Sequence, residues 1–492
     1  GEYRSILLLA VPRSSTSQVE RRSLASWPSF SVQDYFAGTY TSAISEYYDD
    51  TVPARDTLKN IGSNLKALFG ITSEGSAEVI GTIHKAQDVS SESQEVLTAE
   101  TQTTVSDITE QETPEITSKD YHIENQDAID ENGYLIVLQD GHWRAFSLFT
   151  GVDSSLYAET VNYIRQMIDP SVNIYVMPAP LAVQFYCPAN YLDYVVDLKI
   201  SFRELSSRLV SGITAVDAID VLDEHNMEDI YLRTDHHWAH LAAYYAAGEF
   251  ASAAGVPYAG LDTYEKNVRE GYVGTMYGLT GSANLLNDPE DFVYYVPTNS
   301  YIADYYDEEM TFLFRKGLFF NNELNDSYGV ALGEDDIIIH VKTDVQNGRK
   351  LLVIKDSYGN PTVPFLTSSF EEIYVVDQRY FDFNLLDMIN KTQVTDILFV
   401  HDYFSLAGAE SELMEYITYS NLDTEFPDFV TDMEVPEEGN PDINGSDVIF
   451  ASEILGYDPA ESYGEYDEES EYEESDGDWD EEWYEDDYEE EW

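Results

Sequence analysis

The sequence predicts an α/β protein, a three-layer αβα sandwich on a mainly parallel sheet. Three observations carry this. Apolar runs such as Leu351-Leu352-Val353-Ile354 recur beyond residue 132. They alternate with stretches of helical periodicity. They also lack the polar alternation of a half-exposed strand, so both faces are expected to be covered.

The elements follow in order. Tyr134-Leu135-Ile136-Val137-Leu138 reads as a strand and residues 155–168 as a helix. Val172 to Met177 is a strand stopped by Pro178-Ala179-Pro180. A helix over 191–209 precedes a short strand at Ile213-Thr214-Ala215-Val216. Trp238 to Ala254 is the clearest helix, with Gly255 as its stop. Residues 271–349 read as an irregular insertion rich in Tyr and Asn. Strands then return at 351–354, 373–376 and 397–400, separated by helices over 361–369 and 384–391. Asp235, Ser357, Asp377 and His401 fall at or just beyond strand ends, where open parallel sheets bind ligands.

Four regions are expected along the chain. Residues 1–74 read as a helical segment packing on the main domain. Residues 75–131, rich in Ser, Thr, Glu and Gln, read as a linker or insertion. Residues 132–456 form the catalytic domain, and 457–492 an acidic, aromatic, disordered tail. From Glu461 the tail carries 19 acids and no Lys or Arg in 32 residues. Its aromatics give it a second reading, as a docking tail for a cationic partner.

Across 492 residues, 94 acids against 25 bases give a net charge of −69. That charge argues against nucleic acid and anionic membrane surfaces as partners. The single cysteine, Cys187, excludes an intramolecular disulfide and reads as a buried apolar residue. No run approaches a membrane-spanning helix. The chain begins with Gly, so a leader is read as absent from this sequence.

The chemistry concentrates in two segments. Lys355-Asp356-Ser357-Tyr358-Gly359-Asn360 places a serine on a sharp turn directly after a strand, as nucleophile elbows do. Amides of Tyr358, Gly359 and Asn360, and the Asn360 side chain, are candidate oxyanion donors. Asp356 is expected to cap the turn and Lys355 to pair with an acid. Asp235-His236-His237-Trp238 supplies the partners. Residues i and i+2 of an extended segment project to one side, so Asp235 can orient His237 as the base for Ser357. His236 then points away, and Trp238 packs on the sheet while walling the site. Arg379 either binds a substrate carboxylate or sugar oxygens or pairs with Asp377. His142, His340 and His401 read as structural, with His401 able to line the cleft.

A metal site is the competing reading. His236 and His240 are four apart, as in zinc-binding helices, with Asp235 as a third ligand. Against it, His237 stands where such helices carry Glu, and no second Asp/His cluster follows.

The two segments together resemble the bacterial DHHW family. Thr234 to Trp238, Lys355 to Asn360 and Glu372 to Phe381 carry the resemblance. Glu20 to Pro28, Asp50 to Asp56 and Val172 to Pro188 add to it, so it covers most of residues 20–405. That family is related to alginate O-acetylation proteins. The resemblance therefore implies an SGNH-hydrolase-like fold with a permuted order of motifs: Asp235, His237, then Ser357. It implies an extracytoplasmic carbohydrate O-acetyltransferase or acetylesterase working through an acetyl-serine, with no cofactor and no metal. An exported or cell-surface polysaccharide is the implied substrate, and a membrane O-acyltransferase the implied acetyl donor. The alternative is a non-catalytic polysaccharide-binding or assembly protein on a degenerate version of the fold.

Overall fold

The structure is a computed structural model that describes residues 134–430 except Asp336, residues 432–436, and short segments at 16–17, 22–23, 47, 77–80, 449–450 and 453–454. The expectations for the helical segment within 1–74, most of 75–131 and the tail lie outside the described residues.

An antiparallel pair of two-residue strands, Thr16–Ser17 with Arg22–Ser23, comes first, inside the segment read as helical. A small antiparallel sheet follows: β1 (Ala77–Ile80), β2 (Tyr134–Gln139) and β3 (His142–Ser147). β1 falls inside the segment read as a linker and pairs with β2 from Ala77–Val137 to Ile80–Tyr134. Then follow α1 (Ser155–Met167), β4 (Asn173–Val176), α2 (Leu198–Arg208), β5 (Ile213–Ala215), α3 (Ile219–Glu224) and α4 (His240–Ala254). A hairpin of β6 (Tyr264–Tyr272) and β7 (Glu290–Pro297) encloses α5 (Thr275–Thr280). The chain continues through β8 (Tyr301–Tyr306), β9 (Phe312–Lys316), β10 (Ile338–Thr343), β11 (Lys350–Lys355) and β12 (Glu372–Asp377). It ends with α6 (Leu385–Thr392), β13 (Asp396–Val400), α7 (Gly408–Tyr419) and β14 (Ile449–Phe450).

The main sheet has nine strands in the order β14-β9-β8-β10-β12-β11-β13-β4-β5. The five from β12 to β5 are parallel, and the other four add an antiparallel wing. The sheet is therefore mixed. The stretch read as an irregular insertion supplies β8, β9 and β10. All six residues of Tyr301–Tyr306 are buried, so no polar alternation marks the strand. Asp304, its one charge, is held by Arg315 at 2.5 and 2.8 Å.

Every residue of Asp396–Val400 and of Leu351–Lys355 is buried, so both sheet faces are covered there. Alanines 242, 243, 246 and 247 of α4 are fully buried, and Phe250 of α4 meets Tyr175 of β4 edge-on at 5.1 Å. Gly255, at φ 65°, ends α4 in the left-handed region a Cβ disfavours. α1 packs with α7 and α2.

The connectivity fixes where the site lies. From β11 the chain steps to β12 on one side, then crosses to β13 on the other. The carboxyl end of β11 is thus the topological switch point, where the diverging connections leave a crevice. Ser357 stands two residues beyond that end.

Candidate active site

Ser357 opens a single 3-10 turn, Ser357–Gly359, and Asp356 caps it by accepting the Tyr358 amide at 2.9 Å. The other Asp356 oxygen accepts the Asp402 amide at 2.7 Å and the Ser405 hydroxyl at 2.8 Å. Asp356 thus ties the nucleophile turn to the loop after β13. Gly359 is required, because a β-carbon there would stand 2.5 Å from Cβ of Lys355.

The motif Asp235-His236-His237-Trp238 enters from the segment between α3 and α4. His237 Nε2 lies 2.8 Å from Ser357 Oγ, and His237 Nδ1 lies 2.7 Å from Asp235 Oδ1. Asp235 Oδ2 accepts the Tyr272 hydroxyl at 2.6 Å and the Thr275 amide at 2.9 Å. One carboxylate oxygen therefore faces the imidazole and the other is saturated by fixed donors, which selects the Nδ1–H tautomer and leaves Nε2 as acceptor. Tyr328 stacks on His237 at 3.7 Å and 9° and donates its hydroxyl to the Ser357 carbonyl at 3.1 Å.

Gly274 packs so tightly on Asp235 that a β-carbon would overlap its side chain. Gly274→Ala is expected to lower stability by about 1–3 kcal/mol, read as a drop in Tm. It also displaces Asp235, so activity falls with it.

His236 does not turn fully away. Its ring lies 3.7 Å from that of His237, tilted by 35°, and its Nδ1 is 2.6 Å from Thr275 Oγ1. Trp238 is fully buried and donates its indole N–H to the Tyr358 carbonyl at 2.9 Å. It braces the nucleophile turn from behind and offers no face to a substrate.

The expected oxyanion donors need correction. The Tyr358 amide goes to Asp356, the Gly359 amide to the Asp356 carbonyl and the Asn360 amide to the Ser357 carbonyl. The Asn360 side chain donates to Asp335 at 2.8 Å. A tight turn consumes its amides internally, whereas an α-helix start directly after Ser357 would have left them free. The Ser357 amide has no partner among the described residues and is the backbone donor remaining at the turn.

Arg379 holds an ion pair. It bonds both oxygens of Asp377, at 2.8 and 2.7 Å, and Asp335 at 2.8 Å. Lys355, buried beneath, bonds Asp377 at 2.8 Å and Asp335 at 3.1 Å. Burial opposes the Asp335 charge, but Lys355, Arg379 and Asn360 together hold its carboxyl well below the usual range. Lys355→Met leaves a buried carboxylate short of a cation. The expected cost is about 3 kcal/mol in chemical denaturation.

The loop after β13 carries a carboxyl displaced the other way. Burial, then the charge of Asp356, push Asp402 up to about 7. The native state thus holds a proton that the unfolded chain, near the ordinary value of 3.8, releases earlier. Stability from this group is full below about pH 4 and falls as pH rises toward 7. Asp402→Asn keeps the acceptor for the Ser405 amide. It is expected to flatten the fall in urea midpoint between about pH 4 and 7.

His401 and His240 are structural. His401 is fully buried, with Nδ1 at 2.8 Å from the Tyr157 hydroxyl, and burial lowers it to about 3. His240 is enclosed by Phe292, Tyr294 and Phe365. It does not join His236 as a metal ligand. Asp235, His236 and His237 do bring donor atoms within 4.8 Å of one another. A cation held through Asp235 Oδ1 and His237 Nδ1 would displace the hydrogen bond between them.

The family whose description is DHHW protein matches residues 20–112 and 124–376. The chain belongs to the DHHW family. The structure is similar to a crystal structure of a DHHW family protein from Eubacterium siraeum, with 38% identity and a TM-score of 0.57, covering 60% of this chain and 98% of that one. Weaker likenesses are to Bacillus cereus PatB1, at 18% identity, TM-score 0.46 and coverage of 56% and 98%, and to the O-acetyltransferase domain of Pseudomonas putida AlgJ, at 15%, 0.34, and 57% and 98%. A search of curated proteins finds no match. The family match includes the Asp235–Trp238 motif and Ser357, so both segments that meet at this site of the DHHW protein lie within it. No helix among the described residues is long and apolar enough to cross a membrane.

Proposed function

We propose that this DHHW protein is a serine-dependent O-acetyltransferase or acetylesterase acting on carbohydrate outside the cytoplasm. The observation that carries the reading is the Ser357–His237–Asp235 relay, with its two links of 2.8 and 2.7 Å. Ser357 Oγ attacks the acetyl carbonyl as its proton passes to His237 Nε2. Asp235 stabilises the imidazolium that forms. The Ser357 amide faces the developing oxyanion. The departing alkoxide takes the proton from His237, leaving acetyl-Ser357. A sugar hydroxyl, or water, then gives its proton to His237 and attacks the ester, and Ser357 Oγ leaves with that proton. No step requires a cofactor. The resemblance of the DHHW motif pair to alginate O-acetylation proteins motivates an exported polysaccharide as acceptor and a membrane O-acyltransferase as acetyl source.

The test uses p-nitrophenyl acetate as donor, with and without oligosaccharide acceptors. Expected are Ser357-dependent release of p-nitrophenol and an acetylated oligosaccharide or free acetate. Activity is expected to survive EDTA. Chelator-sensitive turnover that persists in Ser357→Ala would favour the metal reading. Glycan binding without any ester turnover would favour the non-catalytic one.

A further inference from the structure

Tyr328 contacts both reacting partners of the relay and belongs to neither motif. Its ring lies parallel over His237, and its hydroxyl bonds the carbonyl of Ser357. It sits on a strap between β9 and β10 that is hydrogen-bonded to itself as a narrow hairpin. The Phe320 amide donates to the Val330 carbonyl and the Leu332 amide to the Leu318 carbonyl, each at 2.8 Å. Arg269 of β6 ties the strap down by donating to the Asn322 and Phe320 carbonyls, at 3.0 and 3.3 Å. Further along, Asp335 accepts from Lys355, Asn360 and Arg379, on the flank of the nucleophile turn. The strap thus meets the turn at two points, through Tyr328 and through Asp335.

We propose that Tyr328 is a positioning residue that fixes the base and the nucleophile relative to each other and favours the charged imidazole through its aromatic face. This rests on the acetyl-transfer reading. Two physical effects combine. The hydroxyl bond and the stack set the His237–Ser357 separation, to which nucleophilic catalysis is steeply sensitive. The π face stabilises a cation that exists only after proton transfer, so its contribution falls in the transition state. The ring also shields one face of the imidazole from water.

Tyr328→Leu is expected to lower kcat for p-nitrophenyl acetate roughly 10–100-fold, with KM within about threefold of wild type. Tyr328→Phe keeps the stack and is expected to retain activity within about fivefold of wild type. In a His237→Ala background, Tyr328→Leu is expected to change the residual rate by less than about twofold. Tyr328→Met, the less disruptive truncation, is measured alongside and carries the same expectation should the Leu variant not fold. Equal kcat for wild type and a folded Leu or Met variant overturns the proposal, as does an additive loss in the His237→Ala background. A loss expressed only in KM also overturns it. If wild type itself turns over no acetyl ester and forms no adduct, the acetyl-transfer reading fails and this proposal with it.

Discussion

Ser357→Ala is expected to reduce acetyl-ester turnover by about 10⁴-fold or more, with KM and Tm little changed. The hydroxyl is the only group removed, and among the described residues its bond is the one to His237. The turn persists, because it is held by the Asp356 cap, the Tyr328 hydroxyl on the Ser357 carbonyl and the Trp238 indole on the Tyr358 carbonyl. Steady-state kinetics beside a thermal melt checks this. Because the three members act as a unit, His237→Ala is expected to cost about as much, and the double variant hardly more.

Asp235→Asn carries the second largest expected effect, a fall in kcat of about 10³–10⁴-fold in a folded protein. The reason lies in the partners of each oxygen. The Tyr272 hydroxyl and the Thr275 amide both donate to Oδ2. In the Asp235→Asn variant the amide carbonyl oxygen must take that place, since an NH₂ there would face two donors. The NH₂ then faces His237 Nδ1 and donates to it, at the loss of the weaker 3.1 Å bond that Oδ1 accepts from the His237 amide. The proton of His237 is driven to Nε2, which now points a hydrogen at Ser357 Oγ and can no longer accept one. The variant keeps its geometry and holds the wrong tautomer. A rate recovering at higher pH, in a variant that melts like wild type, would distinguish this from simple misfolding.

Much of this site is legible because the chain writes it locally. Asp235 and His237 are two apart, and Ser357 follows a strand whose four apolar residues could hardly be anything but buried. The roles of Asp356 as cap and Lys355 as partner to acids also follow from their places beside the turn. What the sequence hides is held by distant contacts. Tyr272 and Tyr328 are two of 38 tyrosines, and nothing local marks them as those that reach Asp235 and His237. Gly274 beside Thr275 is the usable hint, a residue without a side chain where a carboxylate needs room. The oxyanion donors are misplaced from sequence because amide direction depends on the turn type, which the Asp356 side chain sets. The antiparallel wing escapes a sequence reading because Tyr301–Tyr306 is buried on both faces and its Asp304 is neutralised by a partner eleven residues away.

The polar groups around Ser357 share one physical theme. Arg379, Asn360 and the 358–360 amides are polar groups beside a nucleophile, and each satisfies an internal demand. Arg379 and Asn360 meet Asp335, while the amides close the turn. Among the described residues at the turn, Ser357 Oγ, its amide and His237 Nε2 face the chemistry, with the partly exposed His236 at the edge.

The most direct measurement is mass spectrometry of the protein after brief exposure to p-nitrophenyl acetate. The expected result is the mass of one added acetyl group, mapped by fragmentation to Ser357, absent from Ser357→Ala and slow to form in His237→Ala. Turnover of the ester by wild type with no acetyl on Ser357, or an equal adduct in Ser357→Ala, would contradict the account.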